Sequence, residues 1–197
     1  MAVSLMKGQR ISLAKEGDSQ LTQVFMGLGW DAVKKKGGGF LSSLFGGQSG
    51  GDIDLDASCI MFDEKKLIDA VWFRQLTSED GSIRHSGDNL TGEGEGDDET
   101  IHVDLAAVPG NVTSLVFVIT SFRGQTFNEI QNAFCRLVDA RANKEIASYT
   151  LSGGGKNTAQ IMARVYRHGG EWKMAAIGEP AQGATYKDVI PKILPFL

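Results

Sequence analysis

The sequence predicts an all-β protein, folded as an antiparallel β-sandwich with short helices and a glycine-rich insertion loop. About ten short segments carry apolar residues at every second position, and clusters of Gly, Asn, Asp or Ser separate most of them. Stretches with the 3.6-residue apolar period of a long amphipathic helix are scarce. Many short strands with turn residues between them are typical of a β-sandwich.

The strands are predicted from alternation in chain order. The clearest segment covers residues 53–61, where Leu55, Ala57 and Cys59 alternate with acidic or hydroxyl side chains, which predicts one buried and one solvated face. The other predicted strands span residues 10–13, 23–30, 71–73, 101–105, 115–121, 133–138, 146–151, 161–166 and 172–177. Residues 127–132 are predicted to form no more than a turn or two of helix. Residues 186–194 have helical apolar spacing, with Pro191 expected to break the helix or mark its boundary.

Length and composition favour one domain over residues 1–197. A chain of 197 residues with 42% hydrophobic and 22% charged residues is long enough for one substantial core and is not typical of disorder. Its longest strongly apolar run, residues 115–119, is too short to cross a bilayer. We expect a cytoplasmic location, since no secretory leader is apparent. Cys59 and Cys135 are far apart and outside any CxxC motif, which argues against a disulfide framework and a zinc ribbon. Both thiols fall in predicted strands, so we expect them to be buried rather than reactive.

One segment, residues 34–51, departs from the strand pattern. Seven of its residues are glycine, and an apolar island at residues 40–45 follows three lysines. We interpret it as a flexible insertion whose apolar residues fold back onto the surface. The alternative is a tip that inserts into a partner or an anionic membrane surface.

The negative charge is concentrated in two short segments. Asp52, Asp54 and Asp56 alternate along one predicted strand, and residues 88–99 contain six acids and no base. Removing these nine negative charges from the net charge of −4 leaves +5 on the rest of the chain. An acidic cluster on a mildly basic body indicates a cation site and argues against nucleic-acid binding at that face.

The oxygen-rich composition of these segments favours calcium, which takes six to eight oxygen ligands. Glycines alternate with acids in residues 92–96, so that the backbone is able to fold around an ion and expose carbonyl oxygens. An EF-hand is excluded, because a loop starting at Asp52 has Ala57 and Asp63 where glycine and glutamate are required. Magnesium fits less well, and zinc lacks a paired His or Cys set, since His85, His102 and His168 look like ordinary polar positions. The alternative to a metal site is a disordered acidic hairpin tip.

Several motifs together resemble the TerD family of bacterial tellurium-resistance and stress proteins. They are MAVSLMKGQRISLAKE, GLGWD, DIDLDAS, GDNLTGEGEGDDE, RGQTFNEIQNAFCRL and YRHGGEWKMAAIG, in the order expected for the family and over nearly the whole chain. The long glycine-rich insertion resembles the TerZ-like branch of that family. The resemblance implies a cytoplasmic, calcium-binding, non-enzymatic β-sandwich that responds to tellurite and other stress.

The resemblance also implies a ligand set and partners. The metal ligands carried over by motif are Asp31, Asp52, Asp54, Asp56, Asp88, Asn89, Gly92, Glu95, Asp97, Asp98 and Glu99. Two calcium ions are expected, which bring the net charge close to zero. Expected partners are other tellurium-resistance proteins and a membrane-associated complex. Two alternative functions remain open at this point, a metal-dependent phosphohydrolase that uses the acidic cluster and a calcium-dependent lipid-interaction module.

Overall fold

The computed structural model describes residues 2–14, 21–32, 54–87, 96–151 and 155–197, and it confirms the all-β prediction. The strands are β1 (Val3–Ser4), β2 (Arg10–Ser12), β3 (Gln23–Ala32), β4 (Leu55–Asp63), β5 (Lys66–Val71), β6 (Ile83–His85), β7 (Glu99–Asp104), β8 (Ser114–Ser121), β9 (Ile130–Asp139), β10 (Lys144–Thr150), β11 (Ala159–His168) and β12 (Glu171–Ala181). One α-helix, α1 (Tyr186–Ile193), follows them, with 3-10 turns at Phe127–Glu129 and Leu194–Phe196. The predicted insertion at residues 34–51 lies outside the described residues.

The described strands form two six-stranded sheets. The first has the order β1-β10-β9-β3-β7-β6, and the second has the order β2-β12-β11-β8-β4-β5. Among these pairs only β1 and β10 run parallel. The inner faces share one apolar core, to which β3 contributes Leu28 and β8 contributes Phe117. Alternating apolar residues from both sheets therefore meet between the layers, as in other sandwiches.

Helix α1 covers the outer face of the second sheet. Its Val189 and Ile193 pack in a second apolar cluster with Ile60 and Val118, which point away from the main core. The helix continues through Pro191, contrary to the predicted break. In a helix of eight residues the proline removes a single backbone hydrogen bond, and burial of one helix face offsets that cost.

The burial of β4 makes the prediction of a solvated face on this strand wrong. Asp54, just before β4, and Asp56 within it are 5% and 4% exposed, and β4 is buried on both faces. Alternation placed the strand correctly but did not show what lies on its polar side. The predicted strand at residues 71–73 is also wrong, because β5 ends at Val71 and Trp72 bridges back to Gln75 in a turn.

The cysteine prediction is confirmed. Cys59 and Cys135 are fully buried and unpaired, and burial raises the pKa of both thiols, that of Cys135 to about 12. Both side chains therefore act as small apolar core residues. In the described part of the chain, no helix is long and apolar enough to cross a membrane.

Candidate metal centre

Three strands bring their acidic ends to one end of the sandwich. Leu28 pairs with Glu99, which sets the start of β7 beside the end of β3. The backbone N–H of Ala57 in β4 donates to Glu99 Oε2 at 2.7 Å, so the second sheet joins the first at the same place. We call this region the acidic end; its acids with described side chains are Asp54, Asp56, Asp97, Asp98 and Glu99.

The remaining predicted ligands belong to segments that start and finish at the acidic end. The structure describes β3 as far as Ala32 and the chain again from Asp54. It then describes the chain as far as Gly87 and again from Gly96. The predicted ligands Asp52, Asp88, Asn89, Gly92 and Glu95 lie outside the described residues. Asp31 lies in β3, but its side chain is not among those described.

Asp97 is held by an arginine. Arg136 in β9 donates from Nε to Asp97 Oδ1 at 2.7 Å and from Nη2 to Oδ2 at 2.9 Å. This bidentate hydrogen bonding raises the pKa of Arg136. The carboxylate lies directly over Gly27 of β3, where the Cβ of any other residue would overlap it. The first glycine of the GLGWD motif thus makes room for the carboxylate that Arg136 grips.

Asp98 attaches the same loop to β3. Its backbone N–H donates to the carbonyl of Leu28 at 2.9 Å, and its Oδ2 accepts the N–H of Trp30 at 2.8 Å. Trp30 lies where the register of β3 against β9 shifts between Gly29 and Asp31. A Cβ at Gly29 would overlap the Phe134 ring and also the carbonyl oxygen of Gly96, so the second glycine of the motif makes room for both the ring and the loop.

Glu99 and His85 form a buried bridge between the two sheets. His85 is 7% exposed and Glu99 is 1% exposed, and their Nε2 and Oε2 atoms are 3.3 Å apart. The Gly87 N–H donates to His85 Nδ1, so the ring proton is on Nε2, which lies 3.2 Å from the Ala57 carbonyl oxygen. β5 pairs with β4 only from Cys59 onward, so it does not reach Ala57. Glu99 accepts the N–H of Ala57, and His85 contacts its carbonyl, so both backbone groups have a partner. His85 is therefore a structural residue, contrary to the sequence interpretation.

Asp54 pairs with the end of β8. Arg123 Nε is 3.0 Å from Asp54 Oδ2. The carboxylate side chain is 7% exposed, whereas the arginine side chain is 56% exposed. Solvent screens the arginine end of this pair, and the long arginine loses rotamer entropy in it, whereas the carboxylate end is shielded from water.

The described acids lie together without forming a complete metal site. In the described part of the chain no three His, Cys, Asp or Glu side chains converge closely enough to hold an ion. Sequence patterns indicate the acids but not their partners: Arg136 and Arg123 lie far from them in sequence, and His85, close to Asp88, resembles an ordinary polar residue. Glycines inside a strand, at positions 27 and 29, were the one local signal that something packs closely there.

The whole chain is similar to known proteins. A model of the TerD domain matches residues 1–187. Tellurium resistance protein TerZ of Serratia marcescens is 50% identical over 188 residues, which cover 95% of this chain and 94% of that protein. Stress response protein SCP2 of Bacillus subtilis (strain 168) is 46% identical over 200 residues, which cover 98% of this chain and 99% of that protein.

Solved structures share the fold at lower identity. The crystal structure of a protein of unknown function matches with a TM-score of 0.66 and 22% identity, covering 86% of this chain and 96% of its own. A homologue of telluride resistance protein TerD from Streptomyces coelicolor A3(2) matches with a TM-score of 0.61 and 17% identity, covering 83% and 92%. These two likenesses support the sandwich architecture alone.

Proposed function

The chain belongs to the TerD family, and on this basis we propose that it serves in the tellurium-resistance and stress responses for which its relatives are named. We propose that it does so as a calcium-binding, non-enzymatic protein of the cytoplasm. In this proposal calcium joins the acidic segments at the acidic end and orders a surface there for a partner.

The placement of carboxylates from both sheets at the same end of the sandwich is the observation that carries the proposal. Asp54 and Asp56 come from the second sheet, and Asp98 is fixed to β3 of the first. Asp54 and Asp56 are less than a tenth exposed, so water screens their mutual repulsion poorly. A divalent cation at this end relieves that repulsion and links strands that are distant in sequence.

The chemistry of the donors fits calcium. The acidic end supplies carboxylate oxygens, which calcium prefers, and its described histidine is occupied by the Ala57 carbonyl and Glu99. We propose Asp54, Asp56 and Asp98 as ligands from the described residues, and they complete a site only together with ligands from the segments that the structure does not describe. Asp31, Asp52, Asp88, Asn89, Gly92 and Glu95 are the ligands that the sequence predicts in addition, for one or two ions.

The structure supports a different role for Asp97 and Glu99. Both oxygens of Asp97 accept hydrogen bonds from Arg136, and Glu99 Oε2 accepts one from Ala57. Withdrawing either carboxylate from these partners would leave a partly buried cation or a buried N–H unsatisfied. Asp98 also accepts a hydrogen bond, from Trp30, but it is less buried than Glu99 and therefore more accessible to an ion. We therefore infer that Asp97 and Glu99 hold the segment in place and do not bind the ion.

Arg123 connects the proposed ion to the surface. It pairs with Asp54, and the neighbouring Phe122 is an exposed aromatic, 47% accessible to solvent. Neutralising Asp54 with a cation releases Arg123 and changes the surface around Phe122. We propose that this surface binds the partner, which the family suggests is another tellurium-resistance protein or a membrane-associated complex.

Thermal melts in calcium and in chelator test the proposal. Calcium at about one hundred times its Kd stabilises a folded protein by about 2.7 kcal/mol, which for this size raises Tm by about 5–10 °C. Asp98→Asn is expected to lose most of that rise. Glu171→Gln is the matched control, since Glu171 lies at the start of β12, opposite His168 and away from the acidic end. An equal rise in wild type and Asp98→Asn, or no rise in either, contradicts the assignment.

A further inference from the structure

A basic pocket lies on the outer face of the second sheet, apart from the acidic end. Its volume is about 300 Å³, and Lys7, Arg10, Arg164, Tyr166, Ala175 and Phe196 are among its lining residues. Arg10, Ala175 and Arg164 form one row across β2, β12 and β11, because Ala175 pairs with both arginines. Residues directly opposite in a sheet share a face, so the two arginines flank the small floor that Ala175 provides.

The Arg164 guanidinium is fixed in place before any ligand arrives. Its Nε and Nη2 both donate to the buried Ser114 Oγ, at 3.0 and 2.8 Å. Its Nη1 donates to the Phe196 carbonyl at 2.6 Å, and the group lies 4.5 Å from the centre of the Tyr166 ring. These contacts use three of the five N–H donors of the guanidinium and leave the others for a ligand.

Neither arginine of this pocket forms an ion pair with a carboxylate of the described residues. The hydrogen-bond acceptors of Arg164 are a hydroxyl and a carbonyl, both neutral, and in the described residues Arg10 makes no hydrogen bond or ion pair. Lys7 is paired with Glu179 at 3.0 Å, and Lys192 shares that carboxylate. Burial lowers the pKa of Arg164, and the positive charge of Arg10 lowers it further. Arg164 is partly buried, and a partly buried charge usually has a partner of opposite sign, so among the described residues Arg164 lacks an anion.

We propose that this pocket binds a small oxyanion of the phosphate type, held between Arg10 and Arg164. Guanidinium groups match the geometry of such anions and bind them through paired N–H donors. The volume admits an anion with a modest substituent, which Tyr166 and Phe196 contact.

Titration of the full chain with inorganic phosphate and, separately, with sodium tellurite tests this inference. We expect a saturable rise in Tm at constant ionic strength for at least one of the two anions, and the comparison shows which oxyanion the pocket prefers. Arg10→Gln should weaken binding at least tenfold, since it removes a charge-assisted contact from an exposed side chain. Arg84→Gln, in β6 of the other sheet, should bind as wild type does.

Two outcomes overturn the inference. One is a Tm that does not respond to either anion, and the other is an Arg10→Gln variant that binds as tightly as Arg84→Gln. Arg164→Lys provides a second test, because it keeps the charge and loses the planar fork. It should weaken anion binding more than Arg84→Gln does. Equal affinity in these two variants also contradicts the proposal.

Discussion

Replacing Gly27 with alanine tests the close packing at the acidic end. Alanine in the interior of a strand is normally more stable than glycine by about 0.5–1 kcal/mol. In this protein the new methyl group would overlap the carboxylate of Asp97, which is held in place by Arg136. The structure therefore predicts a change of the opposite sign.

The cost follows from the contacts that the methyl group displaces. Asp97 would have to leave its two hydrogen bonds to an arginine whose side chain is 34% exposed. Hydrogen bonds to charged groups contribute about 1.5–3 kcal/mol, and loss of this pair together with residual strain gives about 3 kcal/mol. For a chain of this size that corresponds to a fall in Tm of about 6–12 °C.

Chemical denaturation of Gly27→Ala and of a matched control measures this effect. Gly110→Ala is the control, because a Cβ at Gly110 meets no atom within 4 Å and its backbone lies outside the left-handed region. We expect its free energy of unfolding to match that of wild type within about 0.5 kcal/mol.

A double-mutant cycle with Asp97→Ala identifies the cause. If the carboxylate is the obstacle, Gly27→Ala should cost little once Asp97 has been replaced, and the coupling energy should approach the full cost of the single variant. If Gly27→Ala costs the same in wild type and in Asp97→Ala, the Asp97 carboxylate is not the obstacle. A Gly27→Ala variant that is more stable than wild type also contradicts the predicted overlap.

Three further predictions concern the same fold. His85→Ala removes the side chain that caps a buried carbonyl of β4, so we expect a loss of about 2 kcal/mol in denaturant melts, and a loss below about 0.5 kcal/mol contradicts that role. Arg123→Gln removes the cation facing the carboxylate before β4, so calcium affinity measured by calorimetry should rise severalfold, whereas a fall contradicts displacement of the arginine. Cys59 and Cys135 should resist alkylation at pH 8 until the protein is unfolded, because burial raises the pKa of both thiols. Rapid labelling of the folded protein would show that the thiols are accessible and would contradict this prediction.

Local sequence patterns were sufficient to predict most strands and the layered architecture. Apolar residues at every second position mark β4 and β8, because the pleat of a strand places them on one face. Edge strands were harder to predict. β6 has three residues and β1 has two, which is too few for alternation to be visible. β5 ends at Val71, the residue at which the predicted strand was placed to begin.

The environment of the acids depends on contacts between distant residues, which one sequence does not reveal. Asp56 is buried in a strand whose far face is covered by a helix that begins 130 positions later, at Tyr186. Arg136 meets Asp97 across 39 positions, and no local pattern links them. Local sequence patterns therefore identify the acidic segments, but they do not distinguish candidate ligands from acids that hold the fold together.

Whether the acidic end binds calcium is best decided by calorimetric titration of the chelator-treated full chain with calcium. We predict that the wild type binds one or two calcium ions saturably. Asp54→Asn should bind calcium more weakly than wild type. Asp97→Asn should keep its calcium affinity but lose stability. Absence of binding heat in wild type at several temperatures would contradict the claim that the acidic end is a calcium site. A loss of affinity confined to Asp97→Asn would contradict the assignment of the ligands.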